Sequence, residues 1–348
     1  MNKPRYILAF DSFKGCMSAE EACQSAAEGI LSVHPEAEVV SVPLSDGGEG
    51  LVSCISRMLD AELVSFTAHG PLMEPVEATY AISKDGKTAY MEMASTSGLT
   101  LVPEDKRNPL HTTTYGVGEM ILHAQRRGME HIIMGIGGSA TCDGGQGMLK
   151  ALSGNRNNLP TLTIACDVTN PLYGENGAAY IFAPQKGATP EQVKILDDQL
   201  RDFARQTEAL GIASHETALL PGAGAAGGLG YGLVAHLGAT LRSGIDIILD
   251  IVAFDSIIQG ADAIFTGEGK SDSQTLMGKV PHGVLRRAKT QGIPVHLVSG
   301  AIEDEKKLLN GGFSSVSSIN ENDNRPLCIL LQSEVAKENM RRRMSSLK

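Results

Sequence analysis

Short apolar runs recur along this chain, and each one ends in a turn that carries glycine, aspartate or serine. The runs are residues 6–10, 38–44, 88–94, 131–136, 162–166, 263–266 and 295–299. They are nearly continuously apolar, which is typical of strands that are buried on both faces of a parallel sheet. The pattern therefore predicts a core of mostly parallel β-strands.

Helix signals lie between these runs. Ser18 and Glu21 form an S-x-x-E capping box ahead of a helical apolar pattern. Residues 189–192 (TPEQ) combine the same kind of box with proline at the first helical position, and predict a helix that ends near residue 210. Further helices are predicted over residues 116–127 and 334–347. Repeated strand, polar turn and helix is the α/β pattern, in which ligands bind at the carboxyl ends of the strands.

Composition narrows the classes of partner. A length of 348 residues suits one large or two ordinary α/β domains. A formal charge of −10 and 4% aromatic residues without tryptophan argue against nucleic acid and anionic lipid as partners. The N-terminal apolar run is too short for a signal peptide and no run reaches membrane-spanning length, so we expect a cytoplasmic protein. Six cysteines without a C-x-x-C pair fit apolar thiols in a reducing compartment.

Three segments are predicted to lack regular structure. Residues 222–232 (GAGAAGGLGYG) are dense in glycine and alanine and are interpreted as a functional loop. Residues 153–158 and 314–325 are rich in serine and asparagine, and they are predicted to be the least ordered parts of the chain.

Several turns carry groups that could bind a ligand, either an anion or, at the two acids of residues 45–50, a cation or a hydroxyl. Residues 11–15 (DSFKG) place a carboxylate, a hydroxyl and an ammonium at a strand end, and residues 45–50 (SDGGEG) combine two acids with three glycines. Residues 135–145 (GIGGSATCDGG) present N–H and hydroxyl donors where a strand meets a helix, which suits phosphate. The last segment matches neither the P-loop pattern nor the dinucleotide fingerprint. Each of these turns, taken alone, can also be an ordinary turn.

Residues 266–279 (TGEGKSDSQTLMGK) concentrate charged groups in one turn. Phosphoryl transfer needs lysines to neutralise phosphate oxygens, an acid to hold Mg²⁺ and another acid to orient the accepting hydroxyl. A solvated loop could carry the same charges. Residues 166–171 (CDVTNP) and 242–246 (RSGID) each add an aspartate near a strand end, with Arg242 as a candidate clamp for a carboxylate. A cap or turn aspartate explains each of these two singly.

In this order, the turns resemble the glycerate kinase type-1 family of bacterial enzymes. The matching blocks are residues 11–15, 43–50, 94–99, 108–119, 135–149, 165–179, 182–189, 221–233, 241–250 and 266–284. They extend over nearly the whole chain. The resemblance implies transfer of the γ-phosphoryl group of ATP to D-glycerate, with Mg²⁺, and with 2-phosphoglycerate favoured over 3-phosphoglycerate as the product.

The resemblance also implies two α/β domains with mostly parallel sheets flanking an active-site cleft, one domain being inserted into the other. We place the discontinuous Rossmann-like domain at residues 1–70 plus 285–348 and the inserted domain at residues 71–284. A homo-oligomer is left open. The alternatives are a kinase for another small hydroxy acid and a catalytically degenerate member of the family that binds a nucleotide or metabolite.

The resemblance assigns candidate roles to residues in these turns. The catalytic candidates are Asp46, Lys14, Asp272 and Lys279. The candidates for substrate binding are Asp11, Ser12, Lys14, Gly47, Gly48 and Arg242. The candidates for binding ATP or phosphate are Gly137, Gly138, Ser139, Gly267, Glu268, Gly269 and Lys270. The candidate Mg²⁺ ligands are Asp167 and Asp246. Which acid acts as the base and which binds metal is left open.

The chain departs from the family pattern in two segments. Residues 150–163 are shorter than is usual in the family, and we expect the missing part to be a peripheral hairpin because the flanking blocks are intact. Residues 317–330 (SSINENDNRPLCIL) replace the usual strand and proline-containing loop. Cys142, Ser271 and Met277 stand where asparagine, an aliphatic residue and histidine are usual.

Overall fold

The computed structural model describes residues 3–13, 15–45, 51–59, 61–155 and 158–346. The chain forms two compact units. The terminal unit consists of Met1–Asp46 and Ile245–Lys348, and the central unit consists of Gly47–Gly244. The chain thus enters and leaves the central unit once, between the two halves of the terminal unit.

Strands and helices alternate along much of the chain. The strands are β1 (Arg5–Phe10), β2 (Glu38–Ser41), β3 (Glu62–His69), β4 (Pro75–Ile82), β5 (Thr88–Glu92), β6 (His131–Gly135), β7 (Thr161–Ala165), β8 (Thr240–Arg242), β9 (Ala263–Gly267), β10 (Lys270–Ser271), β11 (Val295–Ser299), β12 (Ala301–Ile302) and β13 (Ser315–Ser318). The helices are α1 (Ala19–Val33), α2 (Leu51–Leu59), α3 (Ala94–Ser97), α4 (Tyr115–Arg126), α5 (Gln146–Ala151), α6 (Ala178–Phe182), α7 (Pro190–Ala209), α8 (His215–Leu219), α9 (Ala225–Leu237), α10 (Gly244–Ile251), α11 (Phe254–Ile257), α12 (Val280–Thr290), α13 (Glu305–Gly311), α14 (Leu327–Leu330) and α15 (Ser333–Ser345).

The terminal unit contains a five-stranded parallel sheet in the order β13-β11-β9-β1-β2. The chain adds β2 on one side of β1, and then adds β9, β11 and β13 on the other side. The strand order therefore reverses between β1 and β9. In an open α/β sheet such a reversal leaves a crevice at the carboxyl ends of the two strands, which is where ligands bind.

Helices α1 and α15 join the two ends of the chain within the terminal unit. Buried Ala22 and Ala26 of α1 and Met340 and Met344 of α15 belong to one apolar cluster with strand β1. Gly29 lies against α15 so closely that a β-carbon there would meet the β-carbon of Met344 at 2.8 Å. The close contact explains a glycine in the middle of a helix, where it otherwise costs roughly 1 kcal/mol.

The central unit contains a six-stranded sheet in the order β3-β4-β5-β6-β7-β8. Strands β5 to β8 are parallel, whereas β3 and β4 form an antiparallel hairpin at one edge. Met91, Ile132 and Met134 from the strands pack with Leu229 and Leu233 of α9 in its core. The predicted α/β class with mostly parallel sheets is confirmed.

The structure confirms the local signals in the sequence. Each of the seven predicted apolar runs contains a strand. Ser18 caps α1 and Thr189 caps α7, and both caps are complete capping boxes. The shortened segment 150–163 lies in the crossover from β6 to β7, which are parallel neighbours, and α5 precedes most of it in that crossover.

The predicted loop over residues 222–232 is wrong, because most of it belongs to α9. The helix is interrupted at its start, where Ala226, Gly227 and Gly228 have left-handed backbone angles. A β-carbon on Gly227 would overlap the carbonyl oxygen of Thr141. The glycines therefore allow a close backbone approach between this helix and the segment after β6, and they do not mark an open loop.

The prediction of low order over residues 314–325 is also wrong. Strand β13 forms there, and Asp323 accepts hydrogen bonds from Arg325 and from Asn339 of α15. Hydrogen bonding by Arg325 holds the pKa of Asp323 well below its usual range. Polar residues that suggest disorder thus bond to each other and to the last helix. Of the other predicted segment, 153–158, residues 156 and 157 lie outside the described residues.

The unit boundaries differ from those predicted. Residue 70 lies between β3 and β4, which pair along their length, so a boundary there would divide a hairpin. Residue 284 lies inside α12, which packs against β1, β9 and β11 of the terminal sheet. The structure places the boundaries at 46/47 and 244/245 instead.

Within the described ranges, no helix has the length and hydrophobicity needed to cross a bilayer.

Candidate active site

Residues that follow β1 and β9, where the strand order of the terminal sheet reverses, line a candidate site. Asp11 and Ser12 follow β1, and Glu268 follows β9. The backbone N–H of Asp11 donates to the carbonyl oxygen of Gly267 at 3.0 Å, which fixes the two strand ends side by side. A β-carbon at Gly267 would overlap the carbonyl oxygen of Val298 in β11, so glycine is required for this packing.

Glu268 is a buried carboxylate with a complete set of partners. One of its oxygens accepts hydrogen bonds from the hydroxyls of Thr275, at 2.7 Å, and Ser271, at 3.2 Å. The other oxygen lies 3.2 Å from the ammonium of Lys279. An ammonium and two hydroxyl donors offset the cost of burying the charge. Glu268 and Lys279 are therefore held in fixed positions beside the strand reversal.

Asp272 and Lys270 flank this pair. The Asp272 carboxylate accepts a hydrogen bond from the backbone N–H of Gln274 at 2.8 Å and caps the short 3₁₀ turn Ser273–Leu276, which carries Thr275 to Glu268. Lys270 is exposed and forms an ion pair with Glu303 at 2.9 Å, and this hydrogen bond raises the pKa of Lys270. Asp272 thus shapes the turn, and Lys270 supplies a second ammonium nearby.

These residues surround a cavity of about 450 Å³ within the terminal unit. Six predicted site residues line it, namely Asp11, Ser12, Glu268, Gly269, Lys270 and Lys279. The remainder of the lining is Phe13, Cys16, Gly300, Ala301, Ile319, Asn320, Leu327, Leu330 and Leu331. The structure therefore brings together the first and last chemical turns of the sequence. Lys14, Asp46, Gly47 and Gly48 lie outside the described residues.

The other glycine-rich turn lies in the central unit, after β6. The carbonyl oxygen of Gly138 accepts a hydrogen bond from the N–H of Leu99 at 2.8 Å, and Ser139 pairs with Gly98 in an isolated β-bridge. Gly137, on the same turn, is exposed. Both contacts tie this turn to the loop after β5.

Lys186 is a residue of the central unit that the sequence did not single out. Its ammonium is fully buried, and it donates to the Ser139 hydroxyl at 2.6 Å and to the Thr141 carbonyl at 2.7 Å. Burial lowers the pKa of Lys186 to about 8. The only local signal is a lysine between Pro184 and Gly187, which also fits a surface turn.

Asp167 lies just after β7, and Arg242 is the last residue of β8, the neighbouring strand of the central sheet. The N–H of Cys166 donates to the carbonyl oxygen of Arg242 at 2.9 Å, and Asp167 accepts a hydrogen bond from the N–H of Gly244 at 3.0 Å. Asp246 belongs to the terminal unit, where its carboxylate lies 2.8 Å from the Arg286 guanidinium. Among the described residues, no three histidine, cysteine or acidic side chains come together as metal ligands.

Comparison with known proteins decides the family. A model of the glycerate kinase family matches residues 6–158 and 153–347. The chain belongs to this family. It is 43% identical to a glycerate kinase of Bacillus subtilis and 42% identical to a glycerate 2-kinase of Escherichia coli, in each case over 90% of both chains. A crystal structure named "putative glycerate kinase 2", from Salmonella typhimurium LT2, superposes with a TM-score of 0.82 at 37% identity and covers 98% of this chain and 96% of that one.

Proposed function

We propose that this member of the family transfers the γ-phosphoryl group of ATP to a hydroxyl of D-glycerate, with 2-phosphoglycerate as the favoured product. The observation that carries the proposal is the cavity at the strand reversal, where Lys270, Lys279 and buried Glu268 meet the Asp11 turn. Ammonium groups and acids in one site match the needs of phosphoryl transfer. The names of the curated relatives supply the acceptor, glycerate.

We assign the anion-binding roles to the lysines. Lys279 is fixed by Glu268, so its position does not change when a phosphate arrives, and such preorganised charge lowers the barrier most. Lys270 is exposed and can exchange Glu303 for a phosphate oxygen. Gly269 lines the same cavity and lets the chain pass close to the ligand.

The remaining roles stay proposals from the sequence. We propose Asp46 and Lys14 as groups that orient and activate the acceptor hydroxyl, with Asp11, Ser12, Gly47 and Gly48 around the glycerate. Arg242 is proposed to bind the glycerate carboxylate as a two-pronged donor. Gly137, Gly138 and Ser139 are proposed as further phosphate donors. Asp272, which caps the turn below Glu268, is proposed to act through that turn.

Mg²⁺ is proposed to accompany ATP. It is bound in such sites by one or two carboxylates together with substrate phosphates, so a cluster of three protein ligands is not needed. The carboxylates of Asp11 in the cavity and of Asp167 in the central unit fit that chemistry, whereas Glu268 would have to exchange its ion pair with Lys279 for the metal. Asp246 would have to exchange its ion pair with Arg286 for the metal. When bound, Mg²⁺ neutralises charge on the β- and γ-phosphates.

The test is a coupled ADP-release assay with the purified chain, Mg-ATP and a panel of small hydroxy acids that includes both glycerate enantiomers. We expect turnover with D-glycerate, and ³¹P NMR of the product distinguishes 2- from 3-phosphoglycerate. Turnover of another acid without turnover of glycerate would identify a different hydroxy-acid kinase. Absence of turnover with every acid would rule out the kinase activity. In the same assay, Asp46→Asn and Lys14→Ala should each lower kcat/KM at least ~100-fold.

We also propose a cytoplasmic location and a homo-oligomeric state. The described cysteines are free thiols, and burial raises the pKa of Cys23 to about 12 and of Cys142 to about 11. Such thiols are poor nucleophiles and fit the predicted role as apolar packing groups.

A further inference from the structure

The cavity of the terminal unit has an apolar side that the proposed chemistry leaves unused. Its surface is formed by Ile319, Leu327, Leu330 and Leu331, which we call the apolar wall. Leu327 is 68% exposed and Leu331 is 45% exposed. Clustered exposed leucines at the mouth of a cavity indicate a surface that a ligand covers. Glycerate is small and polar throughout, and it has no group that would cover leucines.

The apolar wall is held in place by polar contacts behind it. Asn320 donates from its amide to the carbonyl oxygen of Gly300 at 2.9 Å, and its amide oxygen accepts a hydrogen bond from Asn339 at 2.8 Å. Asn339 also donates to Asp323 at 3.1 Å, and Asp323 is paired with Arg325. The segment before the leucines of the wall is therefore bonded to Gly300, between β11 and β12, on one side and to α15 on the other. A wall fixed in this way is preorganised for binding.

We propose that the apolar wall binds the base of the nucleoside triphosphate, while the phosphates lie toward Lys270 and Lys279 on the polar side of the same cavity. The proposal rests on the proposed function in that it takes a nucleoside triphosphate as the phosphoryl donor. The volume of about 450 Å³ lies in the range of small-molecule sites, and a mostly apolar lining with a few charged groups is their usual composition. A nucleotide has this same division between an aromatic base and a polyanion.

The wall also predicts how strictly the base is recognised. Among the described side chains on this side of the cavity, only Asn320 carries hydrogen-bonding groups, and each end of its amide already holds one bond, to Gly300 and to Asn339. The base is therefore held by shape and apolar contact. Sites of this kind discriminate by roughly 10- to 200-fold, whereas sites that hydrogen-bond a substrate discriminate by about 10⁴-fold or more. We expect kcat/KM for ATP, GTP and ITP to agree within ~100-fold.

The absence of tryptophan from the sequence allows a direct binding measurement. Leu331→Trp places a single tryptophan on the wall, and Leu309→Trp places one on α13, at a residue of comparable exposure that does not line the cavity. We expect ADP and ATP to quench the emission of Leu331→Trp saturably, because the base stacks on the indole. Inorganic tripolyphosphate should leave the emission unchanged, and Leu309→Trp should not respond to ADP or ATP.

Kinetics give the second measurement. The double variant Leu327→Gln/Leu331→Gln keeps the wall neutral and removes its apolar surface. It should raise KM for ATP at least ~10-fold and leave KM for glycerate within ~2-fold, whereas the control Leu309→Gln should change neither. Quenching of Leu331→Trp without any phosphorylation of glycerate would support the base site while refuting the proposed function. A silent Leu331→Trp, an unchanged KM for ATP in the double variant, or a preference for ATP above ~10⁴-fold would overturn the base site in an active enzyme.

Discussion

Two lysines, one in each unit, show how similar turns can hold different chemistry. Lys279 in the terminal unit faces a cavity and pairs with the carboxylate of Glu268. Lys186 in the central unit is fully buried and donates hydrogen bonds to neutral oxygens of Ser139 and Thr141. Both lie beside a glycine-rich turn at the end of a parallel strand. In the terminal unit the ammonium is stabilised and accessible to a ligand, and in the central unit it is desolvated and ties one turn to another.

This difference separates the effects expected from the two turns. A lysine that faces a cavity can act on a polyanionic ligand, so its loss should appear in kinetics. A lysine that is buried against neutral oxygens should make the free energy of unfolding depend on pH. The same residue type beside the same kind of turn thus predicts two different measurements.

The largest expected effect is that of Lys279→Met. Loss of the fixed ammonium should lower kcat/KM for ATP by ~1000-fold, about 4 kcal/mol, as is typical for a preorganised charge at a reacting phosphate. Lys307→Met, at an exposed lysine of the same unit, is the matched control and should stay within ~2-fold. A loss below ~10-fold in a variant with native circular dichroism would remove Lys279 from the phosphate site.

Lys186 should produce a pH-dependent stability difference. Its pKa is about 8 in the folded chain, against an ordinary value of 10.5 for a solvated lysine, so the unfolded chain binds more protons between these pH values. Stability therefore rises with pH in this window, because the cost of burying the charge is removed as the folded lysine loses its proton. The unfolding free energy of the wild type minus that of Lys186→Met should increase by about 3 kcal/mol from pH 8 to pH 10.5. A flat difference in denaturant titrations would show that the ammonium is not desolvated.

Gly267 should be less tolerant of alanine than an ordinary turn glycine. Gly267→Ala forces a β-carbon into the Val298 carbonyl and should lower the unfolding free energy by about 3 kcal/mol. Gly86→Ala, in the central unit, meets no atom within 4 Å but has φ +70°, and should cost about 1 kcal/mol. Equal losses in denaturant titrations of the two variants would mean that the sheet adjusts to the added carbon.

The smallest expected effect is the loss of a helix cap, which can be measured once in each unit. Ser18 and Thr189 each cap a helix through a complete capping box. Ser18→Ala and Thr189→Ala should each lower the unfolding free energy by about 1 kcal/mol. Thermal unfolding followed by circular dichroism measures both. A much larger loss for one cap would show that one unit limits the stability of the chain.

What the sequence predicted well was encoded over short distances. The apolar runs and the capping boxes at Ser18 and Thr189 are each recognised within one element. Each depends on backbone geometry that neighbouring residues determine, which is why its position along the chain was predicted correctly.

What the sequence missed depends on contacts between distant residues. Lys186 is buried only because the turn after β6 lies over it, and Gly227 is required only because Thr141 packs against it. Of the apolar wall, Ile319 lies in the segment predicted to lack order and the three leucines follow it, and the support of the wall comes from Asn339 in the last helix. Nothing within a short window of sequence specifies such pairings, because they exist only after the sheets have formed.

The packing of α1 against α15 has a consequence for synthesis. The cavity needs Asp11 from the beginning of the chain and Leu331 from near its end, and α15 must be made before it can cover α1. All strands of the central sheet have left the ribosome long before that, since they end at Arg242. A chain that stops before Leu331 therefore has all strands of the central sheet and an unfinished cavity. Of the two units, the terminal one therefore completes its cavity after the sheet of the central one is made.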